Sequence, residues 1–112
     1  MLPESPDSII ESLRRIMAES AKGVDALYAA EVKVAEKELA YDSEFQRKFI
    51  AAGGTVADRT AVAKLQTAEL RFELDVARAE LNRVKVKMKQ LSDSGTLTAV
   101  MAKQIELTWK HA

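Results

Sequence analysis

Apolar residues draw one regular line through the second half of the chain. In Glu69 to Leu91, "ELRFELDVARAELNRVKVKMKQL", residues Leu70, Leu74, Ala77, Leu81, Val84, Met88 and Leu91 follow at steps of 4, 3, 4, 3, 4 and 3. Such spacing is the seam of a coiled coil, because a repeat of 3.5 residues keeps returning side chains to one side of the helix. The seam extends back through Thr67, Ala63, Thr60 and Val56. It predicts one helix over 56–91, about 54 Å long at 1.5 Å per residue. The alternation in "RVKVKMK" would suit a strand, but the helical seam crosses it without a breaker, so helix is expected there too.

A second apolar line runs along the same helix. With Leu74 taken as heptad position a, Leu65, Phe72, Ala79 and Val86 all fall at f, and Val62 and Val76 at c, with only Glu69 and Arg83 interrupting. In a lone hairpin those positions face water and are polar. Burying a Phe, Leu or Val is worth about 1.5–3 kcal/mol each, so a whole line of them calls for a cover. Either the chain's terminal helices fold over it, or a second subunit does. The terminal segments are short beside the 56–91 helix, which favours the subunit. Leu65, Phe72, Val76, Ala79 and Val86 are therefore expected to form the interface of a homo-oligomer, most simply a dimer with two-fold symmetry.

The remaining elements follow from their ends. Ser5 before Pro6 reads as an N-cap with proline in the first turn, and Asp7 suits the positive end of the helix dipole. An N-terminal helix over 6–22 is expected, with Ile9, Leu13, Ile16 and Met17 as its apolar stripe. Lys22-Gly23 has the form of a helix end, but Val24 and Leu27 keep the same phase, and a helix running through Gly23 fits as well. From 24 to 52 nothing forbids a helix. Val24, Tyr28, Val32, Ala35, Leu39, Phe45, Phe49 and Ile50 supply its apolar face, with Lys33, Glu36, Lys37, Glu38 and Asp42 mostly opposite. Gly53-Gly54 breaks it, and Thr55 with Asp58 three residues on is a capping box opening the next helix. Segments 24–52 and 56–91 should pair as an antiparallel hairpin. "SDSGT" then stops or kinks the long helix. A short amphipathic helix over 96–110, carrying Leu97, Val100, Met101, Ile105 and Trp109, closes the chain. Trp109 suits either a core anchor or an interface hot spot.

Composition agrees with an all-α single domain: 112 residues, 47% hydrophobic, 30% charged, 4 Gly and 2 Pro. No Cys is present, which removes disulfides, thiolate metal sites and Cys nucleophiles. No apolar run is long enough to span a membrane, and the start lacks the pattern of a secretory signal, so a soluble cytoplasmic protein is expected. Candidate chemistry is sparse. His111 is the one histidine and sits in the tail; Glu31, Glu38 and Asp42 share a face as charged helices commonly do; the Gly-Gly turn lacks the Lys-Ser/Thr of a phosphate loop. No catalytic residue, metal or cofactor is expected, and the chain reads as a non-enzyme.

Charge adds one further feature. The net charge is zero, yet Met1 to Thr55 holds 7 basic and 10 acidic residues while Val56 to Ala112 holds 10 and 7. Lys64, Arg71, Arg78 and Lys85 all stand at position e, and Arg83, Lys87 and Lys89 thicken that ridge at one end. Such a row either pairs with Glu31, Glu36, Glu38, Asp42 and Glu44 across the seam or tracks the phosphates of a nucleic acid or another acidic partner. No aromatic residue lies within it for base stacking.

The segments "AYDSEFQRKF" and "GGTVADRTAVAKLQTAELRFELDVARAEL", within Ala40 to Leu91, resemble a group of small helical proteins encoded by tailed phages of actinobacteria. The resemblance covers about half of the chain and implies a phage origin, a host-cytoplasmic location and a role beside recombination or replication proteins. It also implies a continuous helix where this chain has "SDSG".

Overall fold

In the computed structural model, which describes residues 5–110 and side-chain surroundings as far as Thr108, the chain is all-α. Helix α1 runs Pro6–Ala51, α2 Val56–Gln66 and α3 Ala68–Lys110, with no strand among the described residues. The chain divides into two compact units. One unit takes the residues through Ala26 and from Val84 on, the other Leu27–Arg83.

The starts of α1 and α2 are those the sequence dictates. The Ser5 hydroxyl accepts from the backbone N–H of Ser8 at 3.2 Å, and Pro6 opens α1. At α2 the capping box is complete: Thr55 Oγ1 accepts from the Asp58 N–H at 3.1 Å, and Asp58 Oδ2 accepts from the Thr55 N–H at 3.0 Å. That backbone bond, then the Thr55 hydroxyl, holds the Asp58 carboxyl below its ordinary pKa. Between the helices Gly54 sits at φ 98°, in the left-handed region open to glycine, and an added Cβ would come within 2.7 Å of Asp58 Oδ2.

In the Leu27–Arg83 unit, α1 lies antiparallel to α2 and α3: Lys33 pairs with Glu80 and Lys37 with Glu73. Of the expected seam positions, Ala63, Thr67, Leu74 and Ala77 are buried and Leu70 and Leu81 half-buried, whereas Val56, expected at its start, is exposed. On α1 the inner line is Leu27, Ala30, Val34, Lys37 and Tyr41, not the expected apolar face. Val24, Tyr28, Val32 and Leu39 are exposed. Steps of 3 and 4 from Leu27 meet the a/d line of the opposite helix, and Lys37 can occupy one of them because its alkyl stem packs while its ammonium reaches Glu73 at 3.5 Å.

Two candidate breaks are absent and a new one appears. Gly23 does not end a helix, and there are no separate 6–22 and 24–52 helices. Gly23 lies on the inner line of the other unit, where an added Cβ would be 3.3 Å from Met88 Cγ, so its lack of a side chain serves close packing. "SDSGT" does not stop α3, so the expected 96–110 helix is a part of it. There Asp93 takes Lys89 at 3.1 Å, the Thr96 hydroxyl donates to the Ser92 carbonyl, and Gly95 faces Ile16. Thr98 continues the seam and is buried, while Leu97 and Val100 point to solvent. Conversely, the 56–91 helix is interrupted at Thr67, which has φ −111° and ψ 14°. Its hydroxyl donates to the Ala63 carbonyl at 2.6 Å, competing with its own N–H for that acceptor. Trp109 stands in the last turn of α3, but its side chain, like His111, lies outside the described residues.

The two glycines should respond oppositely to alanine. Gly95→Ala places a methyl at ordinary contact, 3.5 Å from Ile16 Cγ2, and should stabilise by about 0.5–1 kcal/mol. Gly54→Ala forces a left-handed alanine against Asp58 and should cost about 1–2 kcal/mol. Urea midpoints measure both, and a helix that ended at "SDSG" would lose rather than gain stability from the first.

Candidate functional site: an exposed apolar stripe and a basic ridge

Leu65, Phe72, Val76 and Ala79 stand on the face of α2 and α3 away from the seam, because positions c and f lie opposite a and d on the helix. All four are exposed: Leu65 80%, Phe72 69% and Val76 39%, with Ala79 beside them. Val62, at 37%, extends the line. Phe72 and Val76 border Lys33, Lys37 and Glu73 along a shallow groove of about 180 Å³. The stripe therefore has a charged rim on one side, made by the Lys33–Glu80 and Lys37–Glu73 pairs. Glu69 and Arg83, the two charges within it, have no ion pair among the described residues. Val86, in the other unit, is also exposed, at 48%.

The basic residues divide. Arg71 donates to Asp75 at 3.2 Å and lies over the Tyr41 ring, 5.6 Å from its centre. Tyr41, then Asp75, raises the pKa of Arg71, which is charged throughout. Arg78 reaches Glu38 at 3.6 Å and Asp75 at 3.9 Å. Lys89 is held by Asp93. Lys64, Arg83, Lys85 and Lys87 are exposed and have no ion pair among the described residues.

The acidic row expected to meet the ridge is only partly used. Of Glu31, Glu36, Glu38, Asp42 and Glu44, only Glu38 pairs across the seam, with Arg78; Glu44 turns to Arg47 and Lys48 on its own helix. The two other cross-helix pairs have the reverse polarity, lysine on α1 and glutamate on α3. Half-chain charge totals conceal this because the two flanks of one seam carry opposite patterns. The Arg71–Tyr41 contact was also beyond sequence reasoning, which placed no aromatic near the ridge.

Among the described residues no group of three or more metal-ligating side chains converges, and no helix is long and apolar enough to cross a membrane. An apolar groove of about 480 Å³ lies in the first unit between Pro6, Ile9, Leu13, Ala102 and Ile105, with Glu106 its one charged neighbour among the described residues. A lone carboxylate there offers no acid–base pair. No family model, curated protein or solved structure matches the chain.

Flank and seam should differ in weight. Arg78→Met removes a half-exposed pair and should cost about 1 kcal/mol or less. Leu74→Ala opens a cavity at a residue only 1% exposed and should cost about 2–5 kcal/mol. Urea unfolding of the two variants checks this ordering.

Proposed function

We propose that the chain is a non-enzymatic interaction protein. Its helices pair as an antiparallel coiled coil, and the stripe of Leu65, Phe72, Val76, Ala79 and Val86 binds a further helical surface, first of all that of a second copy. The observation supporting this most is the exposure of a line of large apolar side chains, Phe72 foremost, at helical spacing beside a charged rim. Exposed lines of this kind mark interaction surfaces, and an aromatic at the centre of one is the usual anchor. A homo-oligomer, most simply a two-fold dimer, would cover it.

The resemblance to small phage proteins suggests the setting: an accessory to phage recombination or replication in the host cytoplasm, touching DNA or a DNA-processing protein. Lys64, Lys85 and Lys87, exposed and without ion pairs among the described residues, favour this reading. DNA binding that weakens steeply with salt would support it. An inhibitor of a host or defence protein is the alternative, marked by salt-insensitive capture through the apolar stripe; a purely structural assembly role is a third.

Replacing Phe72 with Glu and Val76 with Lys tests the shared claim. Charges placed in a dry interface cost far more than charges in water. The double variant should become monomeric or lose helicity, and any surviving monomer should melt at a temperature independent of concentration. Light scattering and circular dichroism read both; an unchanged oligomer would remove the stripe from the interface.

A further inference from the structure

The stripe is complementary to itself in one orientation. Its two interruptions carry opposite charges and lie symmetrically about Val76, Glu69 seven residues before it and Arg83 seven after. Both are at heptad position c, on the same line of the helix. Both are exposed, with no ion pair among the described residues. Each lies about 10.5 Å along the helix from Val76.

Two copies of this face can meet in two ways. Side by side and parallel, Glu69 would face Glu69, Arg83 would face Arg83, and Phe72 would face Phe72. Like charges would be brought together twice, and the largest side chains would collide in one layer. Antiparallel about a two-fold axis at Val76, the second copy's Arg83 faces Glu69, and the same pair repeats on the other side of the axis. Phe72, four residues before Val76, then lies against Ala79, three residues after it, so the largest side chain of the stripe meets the smallest. A two-fold interface must satisfy each contact twice with the same residues, and here charge and volume both do so.

We infer that the stripe's occupant is a second copy of this chain, packed antiparallel with Val76 on the two-fold axis and Glu69 paired to Arg83 across the interface. This rests on the self-association proposed above and fixes its register. The charges within the stripe then select orientation, because only the antiparallel arrangement pairs them.

Charge reversal tests the pair. Glu69→Arg and Arg83→Glu should each weaken self-association by about ten-fold or more, and the double reversal should restore it. Arg and Glu are both good helix formers, so helix content should stay constant. The chain has no Cys, which permits a second, independent readout of register. With a short bismaleimide, Val76→Cys should give crosslinked dimer. Leu65→Cys should not, because the two introduced thiols would lie about 33 Å apart along the helix.

A dimer in which single reversals leave affinity unchanged, or in which Leu65→Cys crosslinks as readily as Val76→Cys, overturns the register while leaving self-association intact. A wild-type monomer at high micromolar concentration overturns both, and leaves the stripe to a different protein.

Discussion

Two helices lying side by side can hide one line of side chains on each, and this geometric limit governs everything else in the protein. Within its units the chain fully buries only four apolar residues, Ile9, Ala63, Leu74 and Ala77, while sixteen large apolar residues are exposed among those described. The conformational entropy lost in ordering each residue is about 1–2 kcal/mol for the backbone alone. Most of the remaining inward apolar residues, among them Leu27, Val34, Leu70, Leu81, Val84, Met88 and Leu91, are only half-buried. Under the proposed self-association, contacts of the exposed surface with a second copy would add to folding, and recognition and stability would be one problem. The apolar stripe on α2 and α3 is one such surface, and Tyr28 and Leu39 on α1 are exposed as well.

How far this could be read from residues alone depended on whether one helix or two set the pattern. The seam of α3 was legible because its 4-3 spacing is a property of one helix; Leu70, Leu74, Ala77 and Leu81 face inward as expected. The phase of α1 was not. Val24, Tyr28, Val32 and Leu39 form a plausible apolar face by themselves, yet Leu27, Ala30, Val34 and Lys37 turn inward. That choice depends on where the opposing helix sits, and lysine on a seam is visible only when Glu73 is across from it. Gly95 misled, and Gly23 left two readings open, for a related reason. Glycine has the same appearance whether it ends a helix or admits a neighbour, and here Met88 and Ile16 are those neighbours. Thr67 shows the opposite error: a residue that fits a seam by spacing perturbs the helix through its own hydroxyl.

The off-seam stripe was legible as a row of positions. Phe72, Leu65 and Val76 were identified by having no place on the seam, and they are exposed. The expectation that the terminal segments were short separate helices does not hold, since they continue α1 and α3. The ridge was legible only as a row of positions. Arg71 and Lys89 are held by Asp75 and Asp93 four residues on in their own helix, and Arg78 by Glu38 across the seam, which separates them from Lys64, Arg83, Lys85 and Lys87. Coulomb pairing between half-exposed groups adds little stability, but it determines which charges stay available to a partner.

If folding and association are coupled through the stripe, mass and melting should move together. Sedimentation equilibrium of the wild-type chain, read beside its thermal unfolding over a hundred-fold range of concentration, tests this most directly. An intermolecular cover predicts a mass of twice 12.4 kDa at micromolar concentration and a melting temperature that rises with concentration. A fully helical species of 12.4 kDa throughout, with a melting temperature that does not move, would contradict it.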